Sequence, residues 1–432
     1  MRVHRLQTAF LPLAAILSHG ALLAGPYSAG LNDPANAFDA PVPGFTGPDG
    51  DGNARLDDGF GGFINPRNFV NPLFLGWAAT VRNYSPAPGV SPSWADANLA
   101  LGPVTGDNFD IVSLGDLNGS QITAGTAPGS ITLHFANPIR DLSGADFVIF
   151  ENTFISESNT GGSGIGGIFG DLAYVEASGD GVNFIRFPSA SLTPASVGAY
   201  GSINPTNVFN LSGKHVNAGG SSWGTPFDLA AVGLASVTDI RIVDIPGSGA
   251  FRDSANRPIY DPWVTIGSGG IDIEAVGAIS RTVTFDQWQD VRGLTGAARG
   301  AAVDSENDGV VNLLEYAFTR LPDRVDGSPV PATVEIVSGR LAITFTRDER
   351  ATDLVYEIQA SGNLTAWTTI AQSSAGLSFV GVNGNAPGIV ETSVSPIASV
   401  GVVRKVRVVD VQTVAGNARR FLRVKVTRIA TP

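Results

Sequence analysis

Short runs of β-forming residues, separated by clusters of Gly, Pro, Asn and Asp, recur through most of this sequence. Runs this short, with turn signals between them and without a helical period, are typical of β-sandwiches. We therefore predict a jelly-roll-like β-sandwich over residues 25–281, with one short helix around Asp228–Ala235. The clearest predicted strands are Ser130–Phe135, Asp146–Phe150, Leu172–Ala177, Asp239–Asp244 and Ile271–Val276.

The pattern changes after residue 281. Phe285–Arg292 and Leu313–Phe318 are predicted helices, and Pro322 is expected to end the second. Residues 282–328 should thus form a compact joint in which Trp288 is packed. From Ala332 strands return, and their spacing predicts an immunoglobulin- or fibronectin-like sandwich over residues 329–432. Its predicted strands are Ala332–Val337, Leu341–Thr346, Leu354–Ala360, Trp367–Ala371, Val402–Val409 and Phe421–Thr427, with Trp367 as a core indole.

An acidic loop within the joint has the ligand spacing of a twelve-residue calcium loop. Such loops bind the ion through side chains at positions 1, 3, 5, 9 and 12 and the carbonyl of position 7, with Gly at position 6. The corresponding residues are Asp304, Glu306, Asp308, Asn312 and Glu315, with the carbonyl of Val310 and with Gly309 at the turn. Ca²⁺ is the predicted cofactor, and Glu306, where Asp or Asn is usual, leaves a contact through water open. The alternative is an acidic turn that caps the second helix.

A second, half-complete calcium motif spans Asp49–Asp57. Its positions 1, 3, 5 and 9 carry oxygen ligands, but Ala54 and Phe60 occupy positions 6 and 12. A glycine-rich acidic turn without bound metal is at least as good an interpretation, so this motif is not among the predicted metal ligands.

The first 24 residues have the layout of a signal peptide. Arg2 and Arg5 precede an apolar run at Ala9–Leu17, and a stretch of small residues ends near Ala24. The run is too short to span a bilayer, and no later segment offers about twenty uninterrupted apolar residues. We expect export, and a secreted or cell-surface location.

The sequence contains no Cys. Disulfides and thiolate chemistry are therefore excluded, and an exported chain of this length must rely on core burial and bound ions. The net charge is −12, and residues 329–432 carry 11 Lys and Arg against 7 Asp and Glu, so residues 1–328 carry −16. This acidity argues against nucleic acid as a partner. The basic C-terminal part could contact anionic surface glycans.

Few residues are candidates for catalysis. His134 lies on a predicted strand, where an ordinary sandwich role is favoured. His215 lies in a polar loop near Lys214 and Asp228, so a nucleophile–base arrangement is conceivable, but no recognised motif supports it.

Carboxylates are better candidates. Glu151, Glu176, Asp272 and Glu274 lie in or at the ends of predicted strands, and Asp272 and Glu274, two residues apart, should point to the same face. Three interpretations stay open: a two-carboxylate glycosidase, a second calcium site, or solvated strand positions.

Several motifs, taken in order, resemble a family of exported bacterial cell-surface proteins of the PEP-CTERM-associated type. The resemblance covers about residues 25–281 and implies a secreted or surface-associated β-sandwich without an assigned biochemical role. Many members carry a C-terminal sorting tail, which this sequence lacks, so anchoring by that route is not expected. The motifs are Ala40–Gly52, Ala100–Pro103, Val112–Asp116, Asp146–Asn152, Gly213–His215, Gly224–Ala230 and Asn256–Asp261.

Two functional classes follow. The favoured one is a non-catalytic, calcium-binding surface protein that is structural or binds glycans, and the alternative is a secreted carbohydrate-active enzyme with paired carboxylates. Aromatic residues do not separate the two classes, because Trp77, Trp94, Trp223 and Trp263 could line a sugar platform or fill the core.

Overall fold

The computed structural model describes residues 25–28, 39–46, 69–156, 167–323, 325, 331–394, 402–417 and 419–429. The predicted signal peptide and the Asp49–Asp57 motif lie outside these residues. The chain is mainly β with antiparallel sheets, as predicted. Among the described helices, none is long and apolar enough to cross a membrane.

The N-terminal sandwich consists of two antiparallel sheets. Its strands are β1 (Val42–Pro43), β2 (Phe45–Thr46), β3 (Phe69–Val70), β4 (Gly76–Trp77), β5 (Thr80–Ser85), β6 (Val112–Ser113), β7 (Ser130–Arg140), β8 (Phe147–Glu151), β9 (Phe154–Ser156), β10 (Gly167–Phe169), β11 (Ala173–Ser178), β12 (Ile185–Arg186), β13 (Ala190–Ser191), β14 (Val208–Phe209), β15 (Trp223–Phe227), β16 (Ser236–Asp244) and β17 (Asp272–Ala278). One sheet has the order β1-β15-β8-β17-β4, with β6 also paired to β17, and the other has the order β12-β11-β16-β7-β5. The N-terminal sandwich also contains three two-stranded ribbons, β2-β3, β9-β10 and β13-β14.

Apolar side chains from both sheets fill the space between them. Leu133 of β7, Ile149 of β8, Val175 of β11 and Ile240 of β16 belong to one fully buried cluster. Such burial is the main favourable term in folding, which lets a chain without disulfides hold this architecture.

Short helices punctuate the sandwich. They are α1 (Gly119–Thr123) and 3₁₀ turns at Pro92–Trp94, Ala97–Ala100, Pro205–Asn207 and Leu229–Val232. The last lies within the helix predicted at Asp228–Ala235. It is short because Asp228 caps it, accepting a hydrogen bond from Ala230 N at 2.8 Å, and Gly233 ends it at a φ of +67°.

The joint and the second sandwich follow. Their elements are α2 (Phe285–Val291), a 3₁₀ turn (Gly296–Ala298), α3 (Asn312–Phe318), β18 (Ala332–Val337), β19 (Arg340–Asp348), β20 (Leu354–Ser361), β21 (Thr368–Ser374), β22 (Val380–Gly381), β23 (Gly388–Ser393), β24 (Val403–Thr413) and β25 (Phe421–Arg428). The two sheets have the orders β18-β19-β24-β23 and β22-β21-β20-β25.

The joint shares its core with the C-terminal sandwich. Trp288, predicted to be packed, is 4% exposed and lies in one cluster with Phe318, Phe345 and Tyr356. The Tyr316 hydroxyl oxygen lies 2.7 Å from Val283 O and 2.8 Å from Asp353 Oδ1, so two acceptors share its single proton. Trp367, in contrast, is only half-buried and lies against the Arg423 guanidinium at 4.0 Å, so its prediction as a core indole is wrong.

Arg350 connects the two sandwiches. Its buried guanidinium donates to Leu73 O at 2.7 Å and Ile279 O at 2.6 Å, both in the N-terminal sandwich, and pairs with Asp348 at 2.6 Å. One guanidinium thus binds the carboxylate and both carbonyls at the same time, which requires a defined arrangement of the three groups.

Candidate metal site and cleft

The acidic loop of the joint brings its first three predicted ligands together. One carboxylate oxygen from each of Asp304, Glu306 and Asp308 lies within 4.8 Å of the others, a spacing compatible with a shared metal ion. The loop turns at Asn307 and Gly309, whose φ angles are +60° and +92°. Glycine adopts this left-handed backbone without strain, which explains its place at position 6.

Hydrogen bonds hold two of these carboxylates in place. Asp304 accepts from Asp308 N at 3.1 Å and from Gly309 N at 3.0 Å, and Asp308 Oδ1 accepts from Val310 N at 2.8 Å. Both carboxylate oxygens of Glu306 and Oδ2 of Asp308 are shielded from solvent and accept no hydrogen bond. Charged oxygens in this situation carry a desolvation cost that a cation would offset, so the site fits a metal ion.

The remaining predicted ligands lie at the start of α3. Val310 and Glu315 are buried. Asn312 is also fully buried, but its Nδ2 donates to Ala298 O at 2.8 Å and Gly300 O at 3.1 Å. The Asn312 amide is thus already hydrogen-bonded to backbone carbonyls, and it holds the acidic loop against the segment that contains Ala298 and Gly300.

A further acidic group comprises Asp141, Asp146 and Asp228, also with oxygens within 4.8 Å of one another. Here Asp146 Oδ1 accepts from Leu142 N at 3.0 Å and Oδ2 from Leu229 N at 2.7 Å. Because backbone N–H groups donate to both oxygens of Asp146, this residue has no unpaired carboxylate oxygen of the kind that Glu306 and Asp308 have in the joint.

The histidines belong to structural contacts. His215 is buried, with Nε2 3.0 Å from Asp39 O, and burial, with a smaller effect of Lys214, lowers its pKa well below the usual value. Asp228 caps the 3₁₀ turn at Leu229–Val232, and among the described residues the hydrogen-bond partner of His215 is the backbone carbonyl of Asp39. His134 Nδ1 lies 3.2 Å from Asp239 Oδ1, in a polar cluster on the sandwich.

Two of the four candidate carboxylates are likewise structural. Glu176 pairs with Arg186 at 2.8 Å and with Arg241. Glu274 sits at a bulge in β17 and is satisfied by Thr105 N at 2.7 Å, Gly106 N at 2.7 Å and Asn217 Nδ2 at 2.5 Å.

Asp272 has different neighbours, Ser113 and Ser268, and its Oδ1 is shielded from solvent. The bulge interrupts the two-residue alternation of β17, so the expected pairing of Asp272 with Glu274 as one unit does not form.

The other two candidates, Glu151 and Asp272, line one surface cleft together with Asp171. The cleft has a volume of about 260 Å³. Trp94 and Phe109 stack at its rim with ring centroids 5.9 Å apart, and Tyr200 there is 81% exposed. Its lining residues are Trp94, Asn108, Phe109, Glu151, Asn152, Phe154, Phe169, Gly170, Asp171, Tyr200, Thr265, Ile266, Ser268, Gly269, Gly270 and Asp272.

The carboxyls that line the cleft or lie near it are buried or half-buried, and we call them the carboxylate cluster: Asp116, Glu151, Asp171, Asp244, Asp261 and Asp272. Burial raises the pKa of Asp116 to about 6 and that of Asp272 to about 8. Burial, and then neighbouring carboxylates, raise the pKa of the other four well above the usual values.

Sequence reasoning missed Asp116, Asp171, Asp244 and Asp261. Two signals were available: Asp116 and Asp261 end motifs that carry the family resemblance, and Asp244 is the last residue of β16.

Of the four tryptophans left open, Trp94 lies at the cleft, whereas Trp77 packs against Phe74 with ring centroids 4.7 Å apart.

Comparison with known proteins found no matching family model, no matching curated protein and no matching solved structure.

Proposed function

We propose that this chain is an exported, non-catalytic surface protein that binds calcium at the joint and a glycan in the cleft. The observation that carries the proposal is the convergence of Asp304, Glu306 and Asp308 with three shielded, unpaired carboxylate oxygens. Calcium is the choice among cations because the donors are all hard oxygens on a flexible loop with the twelve-residue spacing.

The residues that would hold the ion are Asp304, Glu306, Asp308 and Glu315, with the Val310 carbonyl. The ion would supply positive charge that removes the repulsion among the carboxylates. Because α3 shares a core with α2 and the C-terminal sandwich, fixing the loop also fixes α3 and stiffens the connection between the sandwiches.

The cleft is the place proposed for a glycan. The stacked faces of Trp94 and Phe109 offer apolar contact to a sugar ring, and the polar groups below them offer hydrogen bonds to its hydroxyls. The resemblance to exported surface proteins supports a secreted or cell-surface location.

Two measurements test this proposal. Calorimetric titration should show calcium binding that Asp308→Ala abolishes. A glycan array should show binding that Trp94→Ala weakens at least tenfold, while Trp367→Ala, an equally half-buried indole on the other sandwich, leaves it unchanged. Absence of calcium binding to the wild type would refute the metal site, and an array without signal would refute the glycan role.

One observation favours the enzyme as a second candidate. Glu151, Asp171 and Asp272 share an open cleft, and burial raises the pKa of Glu151, as a general acid requires. Release of reducing ends from a polysaccharide, lost in Glu151→Gln, would replace the binding role by hydrolysis.

A further inference from the structure

We propose that the side chains of Lys214 and Asp39 join in an intramolecular amide bond, which forms when the N-terminal sandwich folds. This bond gives a chain without Cys a covalent link between two distant segments. It requires neither calcium at the joint nor a glycan in the cleft.

Both partners lie inside the sandwich. The side chain of Lys214 is 0% exposed and that of Asp39 is 1% exposed. A fully buried Lys is rare, because its charged form loses strongly favourable hydration. Aromatic rings adjoin the site: Lys214 Nζ lies 5.8 Å from the ring centroid of Tyr27, which stacks on Phe209 with ring centroids 5.1 Å apart.

The Lys214 amine lies against the Asp39 carboxyl group in a geometry that differs from an ordinary ion pair. Nζ contacts Oδ2, yet neither Oδ1 nor Oδ2 of Asp39 has a hydrogen-bond partner. In a stable ammonium–carboxylate pair, the N–H groups point at oxygen lone pairs. Here the nitrogen is in contact with the carboxyl group but outside that geometry, which places it for bond formation with the carboxyl carbon.

Burial prepares both groups for this reaction. Desolvation disfavours the charged forms of an amine and of a carboxyl group, so it favours transfer of a proton from the ammonium to the carboxylate. A neutral, desolvated Lys amine is a nucleophile, and a protonated carboxyl group carries a hydroxyl that can leave.

His215 holds Asp39 beside the amine. Its Nε2 lies 3.0 Å from the main-chain carbonyl oxygen of Asp39. Burial, and then the nearby Lys214, lowers the pKa of His215 well below its usual value, so the imidazole adds no charge to the site.

The reaction balances without a cofactor. Lys214 Nζ attacks Asp39 Cγ, a C–N bond forms, and the C–O bond to the carboxyl hydroxyl breaks. One proton from the nitrogen leaves with the hydroxyl as water, so no oxidant or reductant is needed. The amide nitrogen keeps one N–H, and the Val208 carbonyl oxygen, 2.7 Å from Nζ, accepts a hydrogen bond from it.

The bond secures an edge of the sandwich. Asp39 precedes β1, a strand of 2 residues at the end of its sheet that pairs with β15. Lys214 lies between β14 and β15. Because so short a strand forms few hydrogen bonds, a covalent link from position 39 to position 214 keeps this edge from separating. A link between such distant positions also restricts the unfolded chain.

Mass spectrometry of the denatured full chain tests the bond. The wild type should be about 18 Da lighter than its sequence, since one water is lost, and a tryptic digest should contain a peptide that joins Asp39 to Lys214. Lys214→Arg keeps the charge but cannot form this amide, so it should have the mass of its sequence. Lys425→Arg is the matched control, because Lys425 forms a half-exposed ion pair with Glu357 at 2.7 Å, and it should retain the loss.

A second variant separates this reaction from other dehydrations. Asp39→Asn should still form the bond but release ammonia, so it should be about 17 Da lighter than its sequence. A wild type with the full mass of its sequence overturns the proposal, whether or not any variant folds. A loss of one water that persists in Lys214→Arg arises elsewhere in the chain and overturns the proposal equally.

Discussion

Withdrawing calcium should destabilise the joint together with the C-terminal sandwich. Calcium sites of extracellular modules have dissociation constants of about 0.1 to 1 mM. An ion present at about ten times its dissociation constant raises the free energy of unfolding by about 1.4 kcal/mol. For a unit of roughly this size, that change corresponds to about 3 to 6 °C in Tm.

The packing of α2 on α3 determines which part of the chain calcium loss destabilises. Phe285 and Trp288 of α2 and Tyr316 of α3 pack on one another with ring centroids 5.5 to 5.8 Å apart, in a core shared with the sandwich. Loss of the ion therefore loosens residues 296–311 first and lowers the C-terminal transition as a whole. Both sandwiches should remain folded at 25 °C.

Differential scanning calorimetry with calcium and with chelator measures the shift, and limited proteolysis locates it. Chelator should expose cleavage between Arg292 and Arg320 and release a basic C-terminal fragment. Asp308→Ala should behave in calcium as the wild type does in chelator, and Glu335→Gln should not. Equal transitions and equal cleavage rates in both conditions would refute the role of the ion.

Three other perturbations have defined outcomes. Phe318→Ala, which removes a 4% exposed ring packed at 5.7 Å from Phe345, should cost about 3 to 5 kcal/mol in denaturant unfolding. Arg350→Met removes a buried guanidinium that pairs with the half-buried Asp348 and donates to Leu73 O and Ile279 O, and it should cost about 3 to 5 kcal/mol, with a larger radius of gyration if the sandwiches separate. Burial raises the pKa of Asp146 from 3.8 to about 8, so its stabilisation is complete below pH 3.8 and is lost as pH rises through 8. Unfolding free energies from pH 5 to 9 should fall by at most about 1.4 kcal/mol per unit from this group, and Asp146→Asn should flatten the slope.

Local patterns predicted most of the strands. The predicted bounds of β18, Ala332–Val337, are those observed, because its turns are marked on both sides. The predicted strand at Leu341–Thr346 extends in the structure to Arg340–Asp348, since pairing with β24 continues past the apolar residues. The local sequence thus determines where a strand forms, whereas the ends of the strand depend on the neighbouring strand with which it pairs.

The cleft could not be predicted in this way. Asp116 follows β6 of one sheet and Asp244 ends β16 of the other, so how near they lie depends on the packing of the two sheets. The bulge at Glu274 adds a residue to β17 without a sequence marker and gives Glu274 and Asp272 different partners. Asn312 shows the same limit within a motif, because its donors reach Ala298 and Gly300, outside the twelve-residue loop.

A cysteine-free chain with an acidic calcium loop at its joint should complete its folding only where calcium is abundant. A site with a dissociation constant near 0.1 to 1 mM stays empty at micromolar calcium and fills at millimolar calcium. We expect a chain refolded in chelator to form both sandwiches but to protect its amides poorly at residues 304–310, where N–H groups donate to the acids. Hydrogen exchange should show this segment becoming protected on calcium addition, and Asp308→Ala should abolish that protection. Strand amides of β7, which hydrogen-bond within the sheet, provide the internal control, and equal protection of both regions without calcium would mean that the joint does not couple ion binding to folding.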